Sequence, residues 1–357
     1  MSGKRTGKAE VIEEVLTRLN MQNHRDEVIM VGDKEHDVFG ARKAGLECMA
    51  VSYGYGTEEE LKQAQPLKIA DSVQGIVEFF LLTPLHKQSI LKKVWRVLYP
   101  CGIHFLISQI VGYAALAVIC YSMGYSLEFY QSQTILMTGI TALLTMIPCI
   151  WFYQKDKSAR IVRGLIPEQP GKKLKPGEGI LLLLVGASLA TFANMLVALL
   201  QNVLNVQEYQ ENMAQITNGK SLFMLIFWMG VIAPLAEEIV FRWLIYLRLR
   251  DYTRVATAAV ISGVFFGVYH MNLTQAVYAG ILGFVFAYFL EITGSLWASV
   301  LLHMGANIWS LILPELLLRM PEEQMITAAM GIYLVLLCVL GTGSSYFKKR
   351  ACRRRMV

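Results

Sequence analysis

Three short stretches carry the side chains able to do chemistry in an otherwise apolar setting: EEIVFR at 237–242, FGVYH at 266–270 and HMGAN at 303–307. Glu237 and Glu238 are adjacent carboxylates in an apolar run, a costly placement unless each is paired or faces water. Glu238 and Arg242 stand four apart, acid before base, the favoured order for an ion pair on one helix face. Glu237 is rotated by about 100° around the same helix, so it has no partner there and is free to be presented elsewhere. His270 and His303 bring two imidazoles from other segments, and Asn307 adds a carboxamide on the His303 face. Glu237, His270 and His303 together are a ligand set for zinc or another divalent ion with a position left for water. A Glu–His pair equally activates water without metal, and Asn307 suits the oxyanion that forms when water attacks a carbonyl. Each residue taken singly has a plain packing role, the Glu238–Arg242 pair as a structural ion pair and Asn307 as interhelical glue. Their arrival together on three elements is what favours a site.

Those elements are apolar segments. Eight can be drawn, at 101–123, 132–153, 179–204, 221–247, 253–270, 274–291, 295–313 and 325–347, each about long enough to cross a bilayer as a helix. The fifth and sixth are joined only by Met271, Asn272 and Leu273 and must form a tight hairpin. Counted along its helix, His270 comes out about 10 Å deeper than Glu237 and His303, so the fifth helix has to tilt. Basic residues gather before the first segment (Lys87, Lys92, Lys93, Arg96), after the second (Lys155, Lys157, Arg160, Arg163, Lys172, Lys173, Lys175), at the fourth-to-fifth turn (Arg248, Arg250, Arg254) and after the eighth (Lys348 to Arg355). The positive-inside rule then puts both termini in the cytoplasm of a multi-pass cell-membrane protein. Residues 84–100 read as a basic juxtamembrane helix, 164–178 as a Pro/Gly linker, 205–219 as an acidic outward loop and 348–357 as a basic tail. No internal repeat is visible, which counts against a transporter of inverted halves.

Composition agrees. Of 357 residues 55% are apolar and only 17% charged, and the mean hydropathy is +0.44, where a soluble domain carries about 25% charged residues. The net charge of +6 sits between apolar runs, so it speaks for a lipid bilayer as partner and not for nucleic acid. The six cysteines, Cys48, Cys101, Cys120, Cys149, Cys338 and Cys352, form no CxxC pair and read as small buried hydrophobes, with Cys352 a candidate for acylation. No signal peptide opens the chain.

The first 83 residues are ordinary in makeup. VIMVGDKEHDVFGARKAGL predicts a strand at Val28–Val31, a turn with Asp33 and Asp37, and a helix; MAVSYGYG predicts a second strand; TEEELKQA predicts a helix capped by Thr57.

The three membrane stretches, with Pro234 before the glutamates, Gly283 in the sixth segment and GSLWASVLLH leading into the last, resemble the CAAX-protease and bacteriocin-processing family of intramembrane endopeptidases (CPBP, or ABI) over residues 179–313. The resemblance implies a helical membrane core cleaving peptide bonds of membrane-associated proteins or peptides, of CAAX or leader-peptide type. It casts Glu237 as the water-activating glutamate supported by Glu238 and Arg242, His270 as its partner, and His303 with Asn307 as holders of the oxyanion or a metal. Residues 7–82 resemble the C-terminal part of a haloacid-dehalogenase-type (HAD-like) phosphatase of the phosphoglycolate phosphatase group. Asp33 and Asp37 match its magnesium-binding motif and Lys8 its lysine. The nucleophilic DxD of that family is missing, so no phosphoaspartate can form, and a truncated fragment without phosphatase activity is expected; residual magnesium binding at Asp33 and Asp37 is the lesser alternative. The expected architecture is mainly α, a polytopic helical membrane bundle of about eight spans preceded by a small partial α/β domain. The expected function is intramembrane proteolysis, against the alternative of a non-catalytic scaffold or bacteriocin self-immunity protein.

Overall fold

The computed structural model describes residues 7–25, 28–73, 75–76, 89–162, 174–201, 203–204 and 206–355. The linker expected at 164–178 lies outside them as far as residue 173, as do Lys87, Arg163, Lys172, Lys173 and the side chains of residues 353–355. The described residues form two compact units, one before residue 84 and one made of nearly all that follows.

The first unit is a parallel sheet of β1 (Ile29–Gly32), β2 (Glu47–Val51) and β3 (Lys68–Ala70) in that spatial order. Helices α1 (Lys8–Arg18), α2 (Glu35–Lys43) and α3 (Glu58–Ala64) accompany it. Ile12, Leu16, Val38, Ala41, Cys48, Ala50 and Leu61 make its core. Thr57 caps α3 as expected, its hydroxyl accepting from the Glu60 N–H at 3.3 Å; β3 was not foreseen. The Asp33–Asp37 turn is closed from within. Lys8 Nζ lies 2.7 Å from Asp37 Oδ1, and Asp37 Oδ2 accepts from the backbone N–H groups of Asp33 and Lys34, each at 3.2 Å. Asp33 Oδ2 in turn accepts from the Tyr55 N–H at 3.0 Å.

The second unit is all helical. Its elements are α4 (Ile90–Leu116, extended by a π turn at Ala117–Ser122), α5 (Leu127–Ser132), α6 (Thr134–Val162), α7 (Pro176–Leu199) and α8 (Val206–Thr217). There follow α9 (Leu222–Arg250), α10 (Val255–Tyr269), α11 (Leu273–Thr293), α12 (Leu296–Leu318) and α13 (Glu322–Arg355). Among the described residues seven helices are long and apolar enough to cross a membrane, and α10 is a shorter apolar helix. The chain is thus a mainly α membrane bundle after a partial α/β unit. The eighth expected span is shortened: at 15 residues α10 measures about 22 Å, less than the roughly 30 Å of a bilayer core. From Ile90 on, the expected juxtamembrane helix and first span are one continuous helix, and the loop expected at 205–219 is helical over Val206–Thr217. Of the cysteines, Cys48 and Cys149 are buried, Cys101 and Cys120 half-buried, and Cys338 and Cys352 exposed.

Small residues set the helix spacing. Gly263 and Gly267, a GxxxG pair on α10, lie against Gly280 and Ala276 of α11, where a Cβ would collide with carbonyl oxygens. Gly186 of α7 and Gly305 of α12 meet the Leu302 and Leu183 backbones in the same way. With no hydrophobic drive between helices in lipid, such close approach is what packs them. At one end of the bundle buried charges tie α4, α6 and α9 together. Arg96 and Arg160 pair with Asp251 at 2.8 and 2.9 Å, and Arg248 pairs with Asp156 at 2.6 Å while donating to the Tyr99 hydroxyl.

Burial raises the Asp37 carboxyl, but the Lys8 ammonium and the backbone donors outweigh it and hold it below its usual value. Because the folded-state value lies below the unfolded one, the stabilisation is complete above about pH 4 and is lost as pH falls through the folded-state value. Amide exchange in β1 and α2 is expected to quicken below that pH in the native protein and already at neutral pH in Asp37→Asn. Unchanged protection in Asp37→Asn at neutral pH would contradict the role given to the pair.

Candidate active site

Pro234 organises the segment that carries the carboxylates. Helix α9 is not regular: it passes through π turns at Ile226–Ile232 and Ile239–Tyr246, on either side of the α-helical Ala233–Glu238. The Ala233 N–H bonds five residues back, to the Trp228 carbonyl. The Met229 carbonyl would then need the N–H of residue 234, and proline has none. Asn307 of α12 fills the gap, its Nδ2 donating to the Met229 carbonyl at 2.9 Å. The second π turn is fastened by Ser262 of α10, whose hydroxyl donates to the Phe241 carbonyl at 3.0 Å. π turns of this kind gather at functional sites.

Glu238 and Arg242 are both fully buried, with Arg242 Nη1 3.2 Å from Glu238 Oε1. The charges are paired in distance, yet no guanidinium nitrogen is aligned for a hydrogen bond, and Glu238 Oε2 has no partner among the described residues. Aromatic faces take up the slack: the Arg242 guanidinium lies 4.3 Å from the Phe266 ring centre and 5.5 Å from that of Phe286, a cation–π arrangement. Gly283 makes the room, since a Cβ there would sit 2.6 Å from Arg242 Nη2.

The same two rings hold His303, whose ring centre is 5.5 Å from Phe266 and 5.1 Å from Phe286. His303 Nδ1 lies 3.0 Å from Glu238 Oε1, so with Glu238 ionised against Arg242 the proton belongs on Nδ1. The other nitrogen, Nε2, faces Glu237 Oε2 at 3.6 Å. The Glu237 side chain is 26% exposed where that of Glu238 is 0%; of the adjacent carboxylates, only Glu237 is open to a reactant. The result is a line of charge running Arg242, Glu238, His303, Glu237.

His270 caps the C-terminal end of α10, its Nδ1 2.7 Å from the Phe266 carbonyl. A carbonyl only accepts, so Nδ1 carries the proton and Nε2 is left as a base. Its ring packs on Phe266 at 4.8 Å, and so shares that ring with His303, at 5.5 Å. Among the described residues no three His, Cys, Asp or Glu side chains converge closely enough to hold a metal ion. Both His303 nitrogens face carboxylates, and His270 gives one nitrogen to the backbone and keeps Nε2. Asp33 and Asp37 are held within their own unit by Tyr55, Lys8 and backbone donors.

The sequence reading missed three neighbours. His104 of α4 hydrogen-bonds through Nδ1 to the Tyr269 hydroxyl, and His104, Tyr269 and Tyr278 all lie within electrostatic reach of Glu237. Tyr278 is in turn covered by Tyr209 of α8, hydroxyl to hydroxyl at 2.8 Å. The signal available for His104 was that no other His, Asp, Glu, Lys or Arg stands inside the first apolar segment, 101–123.

Comparison with known proteins agrees with these two units. Residues 219–309 match a family model described as type II CAAX prenyl endopeptidase Rce1-like, and residues 6–76 match one described as HAD-hydrolase-like. The chain is similar to a Bacillus subtilis protein named "Putative membrane peptidase YdiL", 24% identical over 180 residues, 49% of this chain and 71% of that one. Its N-terminal part is similar to a Pseudomonas aeruginosa 5'-nucleotidase, 38% identical over 66 residues, 18% of this chain and 29% of the relative. A Vibrio vulnificus phosphoglycolate phosphatase is 30% identical over 66 residues with the same two shares. The chain spans under a third of the length of these N-terminal relatives. No solved structure matches. Both resemblances read from the motifs hold, and the chain is a multi-pass membrane protein with a peptidase-like core and a HAD-like fragment before it.

The account of Asn307 is testable by a double-mutant cycle. Asn307→Ala orphans a buried carbonyl and is expected to cost about 1–3 kcal/mol. In a Pro234→Ala background, where residue 234 regains its N–H, most of that cost should vanish. Equal losses in both backgrounds would show that Asn307 does not serve the carbonyl that Pro234 leaves open.

Proposed function

We propose that the chain is an intramembrane endopeptidase that hydrolyses peptide bonds of membrane-associated proteins or peptides, with Glu237 as the base that activates water. The observation that carries this reading is the contrast between neighbours: Glu238 is sealed against Arg242 and His303, while Glu237 faces His303 from the open side. The peptidase names of the matched family and of the Bacillus subtilis relative point the same way, and they favour substrates of the CAAX or leader-peptide kind.

In the proposed reaction Glu237 takes a proton from water as the oxygen attacks the scissile carbonyl carbon. The oxyanion forms beside Asn307, whose amide has a second N–H beyond the one given to Met229. The proton then passes to the departing amine nitrogen as the C–N bond breaks, leaving a carboxylic acid and an amine. Glu238 stays ionised and holds the His303 ring, so that Nε2 can share the proton of Glu237. The His270 Nε2 lone pair is the second base within the same aromatic frame. The two aspartates of the HAD-like unit are tied to Lys8, Tyr55 and backbone donors, and the proposed reaction uses neither. The gathering of Arg96, Arg160 and Arg248 at one end of the bundle supports a cytoplasmic placement of that end and of both termini.

Profiling of peptides released from membranes that contain the native protein or Glu237→Gln tests this reading. A positioned general base is worth about 10²–10⁴-fold, so products present with the native chain should fall at least a hundredfold while thermal stability is kept, because Glu237 lies outside the buried pair. Identical profiles would favour the alternative, a scaffold or self-immunity protein that keeps the polar residues for packing.

A further inference from the structure

Between α4, α5 and α6 lies a cavity of about 490 Å³, within the size range of ligand sites. Its lining is polar for a place among membrane helices: Ser108 and Gln109 from α4, Thr138 and Thr141 from α6, His104 at one end and Tyr130 at the other. Hydroxyls inside membrane helices usually fold back onto their own backbone; Ser188, Thr191 and Thr293 each donate to the carbonyl four residues before, while Thr145 of α6 is buried without a partner among the described residues. Ser108, Gln109, Thr138 and Thr141 make no hydrogen bond to any described residue. Four side chains with unused donors and acceptors thus line one gap, Gln109 and Thr138 exposed, Ser108 half-buried and Thr141 buried, an arrangement disfavoured in lipid unless something polar occupies it.

One residue of the lining, His104, ties the cavity to the reaction centre. His104, at its inner end, bonds to the Tyr269 hydroxyl, next in sequence to His270, and lies within electrostatic reach of Glu237. Helix α4 is loosely held: none of its most apolar window is buried. It is fastened at Arg96 and Tyr99 by the charge cluster, at His104, and at Gly112 by the Tyr130 hydroxyl, which donates to its carbonyl at 3.2 Å. Ser108 and Gln109 lie between the last two of these points. The α4 part of the lining runs from His104 to Leu116, about 18 Å of helix, which matches about five residues of extended polypeptide. Hydroxyls and a carboxamide both donate and accept, so they suit the alternating N–H and C=O groups of a backbone whatever its side chains.

We infer that this groove is the subsite that takes the extended backbone of the substrate beside the scissile bond and leads it to Glu237. The inference rests on the peptidase reading. It makes Ser108, Gln109, Thr138 and Thr141 substrate-binding residues and His104 the positioning residue where groove and reaction centre meet.

The full chain in lipid nanodiscs, carrying Thr138→Cys, is treated with N-ethylmaleimide, and modification at residue 138 is followed by mass spectrometry with Ile140→Cys as the control on the opposite side of α6. The probes are N-acetyl hexaalanine amide and N-acetyl dialanine amide, used in native and Glu237→Gln backgrounds. The longer peptide, at about ten times its dissociation constant, should slow labelling of Thr138→Cys about tenfold. The shorter one should slow it far less, and neither should affect Ile140→Cys. Protection should persist in Glu237→Gln and be lost when Ser108→Ala and Thr141→Val are added. Labelling that the longer peptide does not slow would mean a groove for water only; absence of labelling would mean a closed one, and either overturns the proposal. Because protection is read without cleavage, the two readings fail separately: protection with no proteolysis would sink the peptidase and keep the groove, and proteolysis without protection the reverse.

Discussion

A guanidinium buried among membrane helices has to be neutralised, and the structure of this bundle follows from how Arg242 is neutralised. Removing both ions of such a pair from water costs several kcal/mol per ion, and leaving either alone costs more. Glu238 supplies the charge from one helical turn away, Phe266 and Phe286 supply their ring faces, and Gly283 leaves the space. Three helices are committed by that arrangement before any chemistry is considered. The ionised Glu238 then binds the His303 ring, and the opposite edge of that ring meets Glu237. The costly pair is what gives the open carboxylate an oriented neighbour.

Backbone irregularity serves the same end. Two π turns on α9 and the missing N–H of Pro234 leave a carbonyl that only another helix can satisfy, and Asn307 satisfies it. The bond fixes α12 along α9, and with it the height of His303 relative to the two glutamates. The close Gly186–Leu302 and Gly305–Leu183 approaches fix α12 from the other side, against α7. On α10 the GxxxG pair seats the short helix against α11, so that His270 ends it at the level of the Phe266 ring.

Much of this could be read in the residues. The four-residue step from Glu238 to Arg242 forecast their pairing, the rotation of Glu237 forecast its separation, and the rarity of ionisable groups in apolar segments pointed to 237, 270 and 303 as one place. What stayed hidden depends on contacts between distant segments. Nothing local says that Phe286 faces Arg242, that His104 reaches Tyr269 across 165 positions, or that Asn307 is spent on a backbone carbonyl. Length alone suggested a full span at 253–270, whereas Arg254 and His270 lie just outside a helix of 15 residues. An acidic composition suggested a loop at 205–219; the helix there is amphipathic and turns Tyr209 inward onto Tyr278.

The line of charge from Arg242 to Glu237 requires that the His303 ring present a protonated Nδ1 to Glu238. Nitrogen-15 spectroscopy of the full chain, selectively labelled at histidine and assigned with His303→Gln, observes this directly. The account predicts that at neutral pH His303 Nδ1 carries a proton in a hydrogen bond that Glu238→Asp perturbs. A bare Nδ1, with the only ring proton on Nε2, would contradict it.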